Sequence, residues 1–178
     1  MPFEFISTML DGVILIEPKS FADNRGEFSE LFKQSEFVQN GIDKPFVQTN
    51  FSVSNKGVLR GLHFQKDPNA QAKLVYVVSG SAFDVAVDIR KDSPYYGKWI
   101  SVTLSSEKRN MIYIPEGFAH GFMALEDNTK LTYNCTAEYS PEHEGGLVWN
   151  DPAIGIKWPI AELIVIERDA QFPTLEQL

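Results

Sequence analysis

Five side chains scattered along the sequence can together move a proton at a carbon beside a carbonyl: His63, Asp169, Lys73, Arg60 and Tyr133. Histidine titrates near neutrality, so His63 can serve as a general base if a partner fixes its tautomer and supports its positive charge. A carboxylate does this well, and Asp169 is a candidate. Lys73 and Arg60 can stabilise a developing oxyanion, where electrostatic catalysis gains most. Tyr133 can return a proton. A base and a separate acid with cationic help point to proton removal beside a carbonyl, with no cofactor.

Other chemistries lack their signatures. No dinucleotide fingerprint, P-loop, nucleophile elbow or His-Glu-x-x-His helix occurs, so hydride transfer, phosphoryl transfer and the common hydrolase schemes have no support. A metal in a small β-barrel wants a closely spaced histidine pair and a carboxylate. Here His63 is followed two residues on by Gln65, His120 lies far along the chain, and His143 sits beside Pro141, Glu142 and Glu144 in what reads as an exposed turn. A His63/His120/Glu144 set is the one metal reading, and it is set aside for metal-free chemistry.

The elements that must position these groups read as strands. Val58–Gln65 is apolar apart from Arg60, Gly61, His63 and Gln65. Plain alternation puts Leu59, Gly61, His63 and Gln65 on one face and Arg60 on the other, but a bulge at Gly61 would bring Arg60 to the same cavity. Further strands are expected at Val13–Glu17, Val47–Ser54, Lys73–Ser79, Ala82–Asp88, Trp99–Leu104, Met111–Ile114, Gly121–Ala124 and Leu131–Tyr139. Phe21–Gly26 has turn chemistry, and Ser35–Asn40 reads as a short helix closed by Gly41. Polar Gln48, Asn50, Ser52 and Ser54 share one face of their strand, and Tyr133, Cys135 and Tyr139 share a face of theirs. Period two alone does not say whether such a face meets lumen or solvent. Many short strands and few helical periods predict an all-β antiparallel sandwich or barrel in one domain, 1–178. The C-terminal stretch, broken by Pro152, Gly155, Pro159 and Pro173, is expected to wrap over it, with Ala161–Arg168 as a short helix or strand. By charge alone Glu167–Arg168–Asp169 is a solvated run, yet such a wrap can deliver it to a distant site.

Composition narrows partners and compartment. The 178 residues carry a net charge of −8, which disfavours nucleic acid and anionic membranes. An anionic substrate remains compatible where cations converge, and Arg25, Arg60, Lys73 and Arg168 are the candidates. The single Cys135, the lack of a signal-peptide layout and the lack of a membrane-length apolar run suggest a cytoplasmic protein.

Several motifs occur in order: Phe21-x-Asp23-x-Arg25-Gly26-x-Phe28-x-Glu30, Gln48-x-Asn50, Leu59-Arg60-Gly61-Leu62-His63-x-Gln65, Gln71-x-Lys73, Asp84-Val85-x-Val87-Asp88-x-Arg90 and Ile114-Pro115-x-Gly117-Phe118-Ala119-His120-Gly121-Phe122. Tyr133, Tyr139, Glu144, Asn150-Asp151-Pro152, Trp158-Pro159 and Arg168-Asp169 complete the series. Across nearly the whole chain this resembles the dTDP-4-dehydrorhamnose 3,5-epimerase family, the RmlC type. The resemblance implies a cupin-type jelly roll (a double-stranded β-helix), usually a homodimer, that acts without metal or cofactor on a dTDP-4-keto-6-deoxy sugar in deoxysugar nucleotide synthesis. It implies His63 as base, Asp169 as its orienting partner, Tyr133 as acid and Lys73 as stabiliser of the enolate. It implies that Arg25, Glu30, Gln48, Asn50, Arg60, His120, Glu144 and Arg168 line the site, with Tyr139 stacking on the base and some contacts coming from a partner subunit.

Two positions depart from that pattern. Many relatives have tyrosine where Glu138 stands and serine where Ile166 stands. Glu138 has the opposite strand parity to Tyr133, so a surface or rim effect is expected. Single-centre epimerases and ketoisomerases share the scaffold, and a non-catalytic sugar-binding cupin is the alternative of a different class.

Overall fold

The computed structural model describes residues 2–178, and its strands form two facing antiparallel sheets and a hairpin. In chain order they are β1 (Phe3–Ser7), β2 (Ile14–Pro18), β3 (Ser20–Asp23), β4 (Gly26–Ser29), β5 (Gln48–Ser54), β6 (Leu59–Gln65) and β7 (Lys73–Ser79). They continue as β8 (Ser81–Asp88), β9 (Trp99–Ser105), β10 (Met111–Ile114), β11 (Phe118–Ala124), β12 (Thr129–Cys135) and β13 (Glu144–Gly146). One sheet runs β1-β2-β10-β7-β12-β5, the other β13-β6-β11-β8-β9, and β3 pairs with β4 alone. Short helices α1 (Gln34–Gln39) and α2 (Glu167–Ala170) lie outside the sheets' connectivity. Among the described residues no helix is long and apolar enough to cross a membrane.

Alternation decides which residues meet between the sheets. Val75, Val77, Ile112, Ile114 and Leu131 of the first sheet pack against Ala82, Ala86, Leu104, Phe118 and Phe122 of the second. The opposite parity of the first sheet, including Ile16, Leu74, Met111 and Tyr113, is covered by Phe37 of α1 and by Ile42. Phe37 is fully buried, with the rings of Phe3 and Phe5 each at 5.3 Å and that of Phe32 at 4.8 Å. Burying such a side chain contributes about 1.5–3 kcal/mol, which holds a helix too short to persist alone. The outer parity of the second sheet (Leu62, Val85, Val87, Ala119) is covered by Leu147, Ile154, Trp158 and Leu175 from the C-terminal wrap. Buried Asp151 pins that wrap, accepting from the Ala153 N–H at 2.8 Å and the Leu175 N–H at 2.6 Å.

Four elements differ from expectation. β1 and β13 form strands that alternation did not single out, and β13 is two-thirds glycine, a residue of low strand preference. The strand expected over Leu131–Tyr139 ends at Cys135. Beyond it side-chain amides replace the ladder: Gln71 Nε2 donates to the Ala137 carbonyl at 2.7 Å, and Gln65 Oε1 accepts from the Ser140 N–H at 2.7 Å. Of Ala161–Arg168, only the last two residues enter a helix, while Ile164 bridges to Val58.

Candidate active site

The site begins with a slip in strand pairing. His63 of β6 faces His120 of β11, but Arg60 faces Phe122, so β6 holds one residue more than its partner over this span. That is a bulge, and Gly61 occupies it with φ +129°. A Cβ there would stand 2.6 Å from Gly121 Cα and 2.9 Å from the His120 carbonyl oxygen, so only glycine lets the backbones close. The extra residue lets Arg60 and His63, three positions apart, line one cavity that strict alternation would divide.

The bulge also frees a donor. The Gly61 N–H reaches Asp169 Oδ2 at 3.0 Å, and Asp169 Oδ1 lies 2.9 Å from His63 Nε2. Asp169 is delivered by α2, whose approach is fixed by the Ile164–Val58 bridge and by the Leu59 N–H donating to the Ile164 carbonyl at 3.0 Å. Burial pushes the Asp169 carboxyl upward, but the His63 and Gly61 hydrogen bonds and the neighbouring charges of His63 and Arg168 outweigh it, so the net shift is downward. An ionised Asp169 accepts from Nε2–H, which leaves Nδ1 of His63 to take a proton. The edge of the Phe172 ring packs on the imidazole at 5.6 Å, and Phe172 in turn fills the space that a Cβ at Gly146 would occupy.

Lys73, Tyr133 and His120 form the floor. Lys73 is buried, its Nζ 3.5 Å from the His63 carbonyl oxygen and 5.8 Å above the Tyr133 ring. Burial pushes its ammonium below the ordinary lysine range, against the upward pull of Cys135, Asp84 and Glu144. Tyr133 stands opposite Asn50 of β5, and burial pushes its phenol upward, so the O–H is retained. His120 Nε2 lies 2.9 Å from Asp84 Oδ2 in a buried pair. Burial pushes His120 downward, with Asp84 opposing and Lys73 and His63 reinforcing.

At the rim, Glu144 Oε2 accepts from the Tyr139 hydroxyl at 3.0 Å and Arg168 Nη1 at 3.1 Å, while the Tyr139 N–H donates to Gln48 Oε1 at 2.7 Å. The Glu144 hydrogen bond pushes the Tyr139 phenol upward. Arg60 donates to Ser54 Oγ at 3.1 Å and to the Val53 carbonyl at 3.2 Å. β5 turns Gln48, Asn50 and Ser52 to the cavity and leaves Val53 exposed, so its polar face is the inner one.

The cavity measures about 720 Å³ and is lined by His63, Tyr133, Asp169, Lys73, Gln48, Asn50, Arg60, His120, Tyr139, Glu144 and Arg168. Arg25 and Glu30 lie outside it. Arg25 is at the exposed tip of the β3–β4 hairpin, paired with Asp23 at 2.6 Å, and Glu30 follows β4. His63, His120 and Glu144, the one metal reading, turn to different partners: Asp169, Asp84, and Arg168 with Tyr139. Glu138 is exposed, as its parity suggests, and Ile166 stands half-exposed at the mouth. Sequence reading did not give Asp84 or Phe172 a part. Asp84 was signalled by being an aspartate inside the apolar run of β8; Phe172 carried no signal.

Two facing sheets thus enclose a cavity into which a carboxylate-held imidazole and a phenol open. Comparison with known proteins carries this further. The family model described as dTDP-4-dehydrorhamnose 3,5-epimerase matches residues 7–177. The chain is 51% identical to the dTDP-4-dehydrorhamnose 3,5-epimerase of Methanothermobacter thermautotrophicus, over 98% of this chain and 96% of that protein. It is 49% identical to the enzyme of that name from Salmonella typhimurium, over 97% and 95%. The crystal structure of dTDP-6-deoxy-D-glucose-3,5-epimerase from Legionella pneumophila, in complex with dTDP-4-keto-L-rhamnose, superposes with a TM-score of 0.94 at 44% identity, covering 98% of this chain and 93% of that one. The chain belongs to the dTDP-4-dehydrorhamnose 3,5-epimerase family.

Proposed function

We propose that this protein inverts C3 and C5 of dTDP-4-keto-6-deoxyglucose by proton transfer, with His63 as base, Tyr133 as acid and Lys73 stabilising the enolate. A ketone at C4 acidifies both neighbouring carbons, because either carbanion delocalises onto the same oxygen. Inversion takes the proton from one face and returns one to the other, so base and acid must be different groups. The observation that carries the reading is the pairing within one cavity of His63, held by ionised Asp169, with Tyr133, kept as a neutral phenol. Lys73 is a cation drawn out of water beside both, where its field is strongest. Arg60 and Arg168 at the mouth suit a diphosphate, and the half-exposed Tyr139 ring suits stacking on a base.

The same reading makes the protein a cytoplasmic homodimer of one-domain subunits. Arg25 and Glu30, off their own cavity, then serve the partner's, and the exposed Phe21 and Phe28 of the hairpin (55% and 65%) are the apolar surface such an approach would cover.

The test is an NMR assay with dTDP-4-keto-6-deoxyglucose in deuterated water. Deuterium should enter at both C3 and C5 with inversion at both. Incorporation at one carbon would identify a single-centre enzyme, and none would leave a sugar-binding cupin. Tyr133→Phe keeps the ring and removes the hydroxyl, so it should exchange protons while losing most inversion, provided the His63 proton exchanges with solvent. Full inversion by this variant would sink Tyr133 as the acid.

A further inference from the structure

The Asp84 carboxylate is a buried charged group beside this site to which the proton-transfer scheme gives no task. It is fully buried on β8, on the parity that sends Ala82 and Ala86 into the core between the sheets. Such a placement is strongly unfavourable unless the charge is compensated. Compensation is partial. Oδ2 meets His120 Nε2 at 2.9 Å, but Oδ1 is buried with no hydrogen-bond partner among the described residues. An apolar residue would serve packing better, so the carboxylate calls for a reason in the chemistry.

We infer that Asp84 is a positioning residue for the reaction: it fixes His120 as the Nε2–H tautomer, leaving Nδ1 as an acceptor toward the cavity, and its charge balances the buried Lys73 ammonium. His120 lines the cavity, and its Nε2 is turned to Asp84. A carboxylate only accepts, so Nε2 carries the proton and Nδ1 keeps its lone pair. The ring stays neutral because burial pushes it downward, with Lys73 and His63 adding to that push against Asp84. A neutral acceptor at this point can take a hydroxyl proton of the sugar and orient the ring over the base and the acid.

Groups on five strands surround or act electrostatically on Lys73. Cys135 and Tyr133 come from β12, Asp84 from β8, Glu144 from β13, the His63 carbonyl from β6 and His120 from β11. Three of these support its charge, in the order Cys135, Asp84, Glu144. Burial pushes the Cys135 thiol upward, so near neutrality it carries no charge. Asp84 is then the larger of the two remaining anionic influences, and it acts from inside the core.

The chain has three histidines, so 15N-histidine labelling resolves each ring. In the protein as it stands, His120 should show the neutral Nε2–H pattern at pH 7.5; an Nδ1–H tautomer or an imidazolium overturns the inference. Asp84→Asn keeps the shape and removes the charge. It should lower kcat about tenfold or more with KM changed less than about threefold, and move the alkaline limb of kcat to lower pH by about one unit, as Lys73 gives up its proton sooner. A structural role alone would lower Tm and leave the limb in place, and that result overturns the inference too. If Asp84→Asn does not fold, the tautomer of the unaltered protein decides. The kinetic arm rests on the epimerase reading above: an inactive wild type would remove that reading, while the tautomer, read without substrate, still judges Asp84.

Discussion

Asp169 and Tyr113 show burial acting on two acids with opposite net results. For Asp169 two donors and nearby cations overcome desolvation, and its carboxyl is held below the ordinary value of 3.8. A depressed carboxyl contributes stability in full above the unfolded value, and the contribution is lost as pH falls through the folded one. Asp169→Asn should therefore be less stable than wild type at neutral pH, and the gap in urea midpoint should close below about pH 4. At neutral pH its turnover should fall about 10²–10⁴-fold with KM little changed, because the charge supporting the protonated imidazole is gone. Weakened binding with unchanged turnover would contradict the dyad. Among the described residues Tyr113 has no such donors: burial, with Glu116 and Asp43 adding to it, pushes its phenol to about 12 from 10.0. A raised pKa contributes stability that is complete below the unfolded value and lost as pH rises through the folded one. Wild type should lose on the order of 2 kcal/mol between about pH 10 and 12 that Tyr113→Phe does not lose. Unfolding curves for both proteins across that range check it.

At the scale of elements, Gly61 sets both the shape of β6 and the state of the dyad. Gly61→Ala would force a positive φ on alanine and press Cβ against Gly121 and the His120 carbonyl. It should destabilise by about 2 kcal/mol or more, and lower turnover beyond what lost folding explains, since the Gly61 N–H holds Asp169. A well-folded variant of full activity would show that the bulge is not needed. Alternation was legible here: Lys73–Ser79 and Met111–Ile114 form strands with the bounds their pattern predicts, and the bulge that joins Arg60 to His63 was signalled by a glycine between polar residues. Other features were not legible, for physical reasons. Side-chain chemistry and the resemblance name Asp169 as the partner of His63, but the contact itself spans 106 positions of chain through an irregular tail, and no local period encodes it. β5 carries Val53 outward (47% exposed) and polar Gln48, Asn50 and Ser52 inward, inverting the usual sense of amphipathicity because its inner face lines a cavity. Residues 136–140 are held by glutamine side chains instead of a ladder, which strand alternation cannot register.

At the scale of the whole molecule, an overall charge of −8 coexists with a cavity whose mouth is arginine-lined. Two further groups assigned to the site stand apart from it: Arg25, 85% exposed at the tip of the hairpin, and Glu30. If Arg25 serves the partner's cavity, every site combines Arg25 of one subunit with His63 of the other. Arg25→Ala and His63→Ala should each lower turnover strongly on their own, the second to background. When the two variants are mixed and allowed to exchange subunits, half of the sites in each mixed dimer carry both lesions and the other half carry neither. Activity should then rise well above the sum of the separate variants, toward about half that of wild type per mixed dimer. A site built within one subunit predicts no rise, because every site of a mixed dimer would then keep one lesion. Sedimentation of the same mixture reports whether dimers form at all. Dimers that form and exchange without recovering activity would place Arg25 and His63 in the site of one and the same subunit and overturn the shared site.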